Sequence, residues 1–161
     1  MLLPILRWPD PRLSQLCVPA VLDADLRALA ADMLETMYAA PGRGLAAPQV
    51  GRLVRVFVMD VGWKTGDPTP LVFVNPELEL LGTRVLGPEG CLSIPCPVTE
   101  VERNAQVRAR WTDLDGVAHD AIFDGFAAIC IQHEFDHLNG ILTLDRLGSE
   151  ARALAESEVL A

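Results

Sequence analysis

A chain of 161 residues, half of them apolar, is long enough to bury one sizeable core, and a single domain over residues 1–161 is expected. Its 22 acidic side chains against 13 basic ones leave a formal charge of −9, which argues against direct nucleic-acid binding or docking on an anionic membrane. The four cysteines, Cys17, Cys91, Cys96 and Cys130, are scattered through a chain that needs no covalent staples, so reduced thiols are expected and a thiolate ligand becomes available.

The start, MLLPILRWPDPRL, holds only a short apolar run before Pro4, Arg7, Trp8 and Pro9 break it; this fits neither a secretory signal nor a spanning helix, and a cytoplasmic protein is expected. Residues 23–40 place Leu26, Leu29, Ala30, Met33 and Met37 at helical period behind Asp23, a capping residue, and Pro41 and Gly42 stop the helix. After the loop PGRGLAAPQVG, the runs LVRVFVMDV and PLVFVNPEL read as strands, rich in β-branched and aromatic residues. AQVRARW alternates Ala105, Val107, Ala109 and Trp111 with polar partners, and DLDG turns it into VAHDAIF as an antiparallel hairpin. The segment 124–139 is a second helix, with Asp124 as N-cap and Gly140 as the left-handed stop. Its first turns, GFAAICI, are apolar all round, as in a buried helix, and Ile129 and Cys130 make a hydrophobic floor beneath His133. From about residue 148 the chain reads as a short acidic tail. The order of elements predicts an α+β fold, antiparallel β-sheets packed around a central helix, with an N-terminal helix beside them.

The second helix contains QHEFDH, residues 132–137. Positions four apart lie one above the other on a helix, so His133 and His137 can aim at a common metal, while Glu134 is offset and free to reach a water. A hydrolytic metal site keeps three protein ligands and an open position. The third ligand is left open by spacing alone, among His119, the carboxylates and the cysteines; Cys91 stands out because PEGCLSIP is a tight turn that would hold a thiolate still.

Three segments in order, GRGLAAPQ at 42–49, EGCLS at 89–93 and QHEFDH at 132–137, make the chain resemble the peptide deformylase family, with ILRWPDPRL and ETMYAAPGRGLAAPQVG adding to the likeness from about Ile5 to Leu147. The resemblance implies one divalent ion per chain held by Cys91, His133 and His137. Iron(II) is the implied ion, and zinc, nickel or cobalt would also suit the donor set. It implies hydrolysis of the N-formyl group from the formylmethionine of new polypeptides, with Glu134 moving the water's proton to the departing amine. Gln49 and the backbone N–H of Leu92 would hold the oxyanion. Arg43, Gly44, Gly87, Glu89, Phe126, Ile129 and Cys130 form the candidate substrate-binding set. Glu89, Arg103 and Asp136 are also expected as a supporting ionic network.

Three positions depart from the family pattern: Arg43 and Gly87 replace residues that wall the methionine pocket, and Val98 stands where an arginine is common. They support an alternative, a divergent paralogue acting on another N-formyl or amide substrate; a non-catalytic metal-binding module is the other. The acidic tail argues against strong attachment to the ribosome.

Overall fold

Asp23 begins the first helix as its composition predicts: its side chain accepts from the Leu26 N–H and caps α1 (Ala24–Ala39). In the computed structural model, which describes residues 1–161 apart from the side chain of Cys96, the chain continues through β1 (Gly44–Ala46), β2 (Val56–Met59), β3 (Leu71–Cys91), β4 (Ile94–Thr112), β5 (Ala118–Asp124), α2 (Gly125–Leu138) and α3 (Ser149–Val159). Short 3-10 turns occupy Ala47–Val50 and Thr143–Arg146, among others. The class is α+β, and the strands form one five-stranded sheet in the order β1-β2-β3-β4-β5, antiparallel at every step.

The two long strands explain how one sheet does the work of several. β3 pairs with β2 only from Leu71 to Val74 and then runs alongside β4 alone. Register shifts fall between Val74 and Glu77, Leu81 and Arg84, and Glu89 and Cys91, and such bulges bend a strand out of plane. Asn75 and Pro76 stay within the strand, as the run PLVFVNPEL predicts; Asn75 takes a left-handed φ of 49° within β3, and its side-chain amide exchanges two hydrogen bonds with the Ala20 backbone. The β3–β4 ribbon therefore leaves the core and returns at its tip, Leu92–Ser93, which sets Cys91 next to α2.

Alternation along β2 divides the core. Phe57 and Met59 pack with Phe73, Trp111, Ala128, Ile131 and Leu138 on the α2 side, while Val56 and Val58 join Leu26, Leu29, Met33 and Met37 of α1. Phe73 lies between Phe57 and Trp111, with ring centroids 4.5 Å from each. Each such side chain contributes about 1.5–3 kcal/mol by leaving water. The segment read as an acidic tail is helical as α3, because Ala155 finds a third cluster with Leu13, Ile94, Leu142 and Leu144, and Arg152 bridges Asp145 and Glu156. Among the described residues, no helix is long and apolar enough to cross a membrane.

Candidate metal centre

α2 starts after Asp124 and stops at Gly140, whose φ of 72° is the left-handed stop anticipated for it, although the Asp124 side chain makes no capping hydrogen bond. Between these ends His133 and His137 are both buried, their ring centroids 5.0 Å apart. Cys91 arrives from the end of β3, its Sγ 3.5 Å from His137 Nε2. One donor atom from each of Cys91, His133 and His137 lies within 4.8 Å of the other two, which completes the trio that spacing left open. His119 is elsewhere, bonded to Asp113 and stacked on Trp111.

His133 Nδ1 meets Glu89 Oε1 at 2.9 Å, so the imidazole donates there and turns the lone pair of Nε2 toward the cluster, the arrangement that orients a metal-binding histidine. Glu89 also accepts from Nε and an Nη of Arg103, each at 2.9 Å. Arg103 extends to Asp136, which accepts two further bonds from Arg146. The supporting network is therefore real and one residue longer than anticipated. Glu89 is corrected as a substrate-contacting candidate: it is buried, and its carboxylate is occupied by Arg103 and His133.

Glu134 is buried beside the histidines, and its Oε1 has no partner. Burial pushes its carboxyl up to about 7, with Glu89 and Asp136 pushing the same way and His133 and Arg103 opposing. Burial lowers His137 well below the ordinary histidine range, reinforced by the positive charges of His133 and Arg103. For His133 burial acts in the same direction but is overcome by Glu134, Cys91 and Glu89, so its proton affinity rises. Gly44 lies against this carboxylate: a Cβ there would stand 2.5 Å from Glu134 Oε2 and 2.9 Å from Cys130 Sγ, so its first structural duty is to admit Glu134.

Gln49 is 2% exposed and fixed at both ends. Its Oε1 accepts from the Ala46 N–H, which directs Nε2 toward Ser93 Oγ at 3.1 Å and Cys91 Sγ at 3.7 Å. Ser93 was missed from sequence, although it stands in the EGCLS motif; a buried hydroxyl in the turn at the tip of a hairpin carries no signal until its partner is known. Leu92 packs its side chain on Gly42, which anchors the backbone whose N–H is the second oxyanion candidate. Cys130 is buried and its thiol is pushed well up by burial, the state of an inert core thiol. Phe126, half exposed, and Ile129, partly buried, open the α2 surface toward Arg43, whereas a Cβ on Gly87 would meet nothing within 4 Å. Val98 is 65% exposed.

The donor set suits a divalent ion: one soft thiolate, two imidazoles, a carboxylate behind one of them, and an unpartnered carboxylate oxygen alongside. A sequence model described as polypeptide deformylase matches residues 2–153. A peptide deformylase of Mesorhizobium japonicum is 48% identical over 151 residues, 92% of this chain and 86% of the relative. One from Hyphomonas neptunium is 48% identical over 96% of this chain and 90% of its own. The crystal structure of a peptide deformylase from Legionella pneumophila superposes with a TM-score of 0.93 at 36% identity, covering 99% of this chain and 94% of that one. A peptide deformylase from Synechococcus elongatus, solved in complex with actinonin, gives 0.91 at 38% identity, covering 96% and 86%.

Proposed function

The chain belongs to the polypeptide deformylase family, and we propose that it works through the groups gathered around Cys91, His133 and His137. The reaction is removal of the N-formyl group from newly made polypeptides, a formamide hydrolysis that yields formate and a free amine. Cys91, His133 and His137 are assigned as the ligands of one divalent ion, and Glu89 fixes the tautomer of His133. A bound ion supplies Lewis acidity, polarising the formyl carbonyl and lowering the pKa of a water to near neutrality.

Glu134 is the proton carrier: its free Oε1 accepts a proton from the attacking water and gives it to the departing amine nitrogen. Before an ion binds, burial already holds this carboxyl at about 7, which raises its affinity for the proton. Gln49 Nε2 and the Leu92 N–H donate to the oxygen on which charge develops, and Gln49 is preorganised because Ala46 and Ser93 hold it. The ion assigned is iron(II), with zinc, nickel and cobalt compatible with the same donors. Cytoplasmic residence fits a substrate made at the ribosome and free thiols at Cys17, Cys91 and Cys130. Strong ribosome attachment through α3 does not fit, since three glutamates against one arginine make no basic surface.

The observation that carries this reading is the Cys91, His133 and His137 cluster with an unpartnered Glu134 oxygen beside it. Anaerobic purification, metal analysis and formate release from a short N-formylmethionyl peptide test it. A metal-loaded protein that releases no formate would overturn it.

A further inference from the structure

Among the described residues, nine of the twelve arginines are ion-paired; Arg7, Arg43 and Arg55 are not, and Arg55 donates instead to Leu138 O. Arg12, Arg27, Arg52, Arg84, Arg103, Arg108, Arg110, Arg146 and Arg152 each face a carboxylate, whereas the guanidinium of Arg43 has neither an ion pair nor a hydrogen bond among the described residues. Its Cζ lies 5.0 Å over the ring of Phe126. A guanidinium laid on an aromatic face keeps its N–H donors at the edge, in the fork that matches a carboxylate. The backbone beneath it is fixed: Arg43 O accepts from the Asp60 N–H at 2.9 Å, and Gly42 O accepts from Trp63 Nε1 at 2.9 Å.

This cation is tied to the flank of the metal centre through its chain neighbour and its stacking partner. Its chain neighbour Gly44 touches Glu134, and Phe126 shares the α2 stripe of Ile129, Cys130 and His133, two turns before the histidine. Seven residues of helix are about 10 Å, and an extended peptide advances about 3.3 Å per residue. A peptide that runs from the metal centre toward Phe126 would bring a side chain on one of the first residues after the formylated one to the guanidinium.

We propose that Arg43, stacked on Phe126, selects N-formyl peptides bearing a carboxylate side chain just downstream of the formylated residue. The inference rests on the deformylase reading. With a formal charge of −9 the protein as a whole repels acidic peptides, so such a preference has to come from a local contact.

The test compares formate release from three C-terminally amidated peptides: N-formyl-Met-Glu-Glu-Ala, N-formyl-Met-Ala-Ala-Ala and N-formyl-Met-Lys-Lys-Ala. The wild type should favour the acidic over the basic peptide in kcat/KM by about two- to fivefold, the scale of a partly exposed ion pair, and added salt should shrink the ratio. Arg43→Ile should abolish the ratio and Arg43→Glu should invert it, with metal content showing that both variants keep an intact centre. Equal ratios in wild type, Arg43→Ile and Arg43→Glu would overturn the assignment. Failure of the wild type to cleave the alanine peptide would instead overturn the deformylase reading.

Discussion

Two sides of α2 carry buried polar residues and treat them in opposite ways. On one side Gln132 exchanges hydrogen bonds with the Asn104 backbone and donates to Ala128 O, and Asp136 takes Arg103 and Arg146. On the other, Glu134 Oε1 and His137 Nδ1 are buried without a partner. A buried polar atom left unpaired costs about 1–3 kcal/mol, so the paired side reads as structure and the unpaired side as chemistry.

The paired side should fail through stability. Arg103→Leu takes the bidentate partner from buried Glu89 and one partner from Asp136, leaving them only His133 and Arg146, and the expected loss is about 3–5 kcal/mol in a denaturant titration. A loss under about 1 kcal/mol, the value of a surface pair, would show that the network carries no structural burden. The unpaired side should fail through turnover. Glu134→Ala removes the proton carrier and leaves the ligands, so metal stays bound while kcat drops ~10²-fold or more. Wild-type turnover in that variant would exclude Glu134 as the carrier.

Gln49→Leu has a smaller expected effect, about tenfold or more, the worth of a hydrogen bond to a charged group. Both kcat and kcat/KM should fall, because the amide serves the developing oxyanion; a change confined to KM would make it a uniform binding group. Last, the two sides should respond oppositely to pH in the chelated protein. Glu89 is subject to burial, which raises its pKa, but Arg103 and His133 hold it below its ordinary 4.5. Its contribution is therefore present above that value and is lost as pH falls through the depressed one. Glu134 is raised to about 7, so its protonated form stabilises the fold below the ordinary value, and that contribution disappears as pH rises through about 7. Melting temperatures of wild type and Glu134→Gln against pH separate the two: the variant should lose the fall near neutrality and keep the acid arm.

The elements nearest the site were legible because local rules and tertiary packing agree there. Asp23 capping α1, the β4–β5 hairpin and the QHEFDH helix all follow from spacing and capping chemistry. β3 was read only as far as Leu78 and β4 only from Ala105, since Gly82, Pro88 and Pro95 are punctuation in a sequence but lie within the strands of this sheet. α3 was read as a tail because its one buried residue, Ala155, gives a weak apolar stripe. At the site, His133, Glu134 and His137 were visible from a single helix, whereas Cys91 needed the motif order, its distance from His137 being set by the path of the β3–β4 ribbon. Glu89 showed the limit of motif reading, as its place beside Cys91 suggested substrate while its carboxylate turns beneath the metal centre.

The central claim, that Cys91, His133 and His137 together hold the catalytic ion, is tested most directly by metal stoichiometry after anaerobic purification of single-cysteine variants. Cys91→Ala should lose the ion and formate release together, whereas Cys17→Ala and Cys130→Ala, which remove inert buried thiols, should keep one ion per chain. Full metal content in Cys91→Ala would contradict the account.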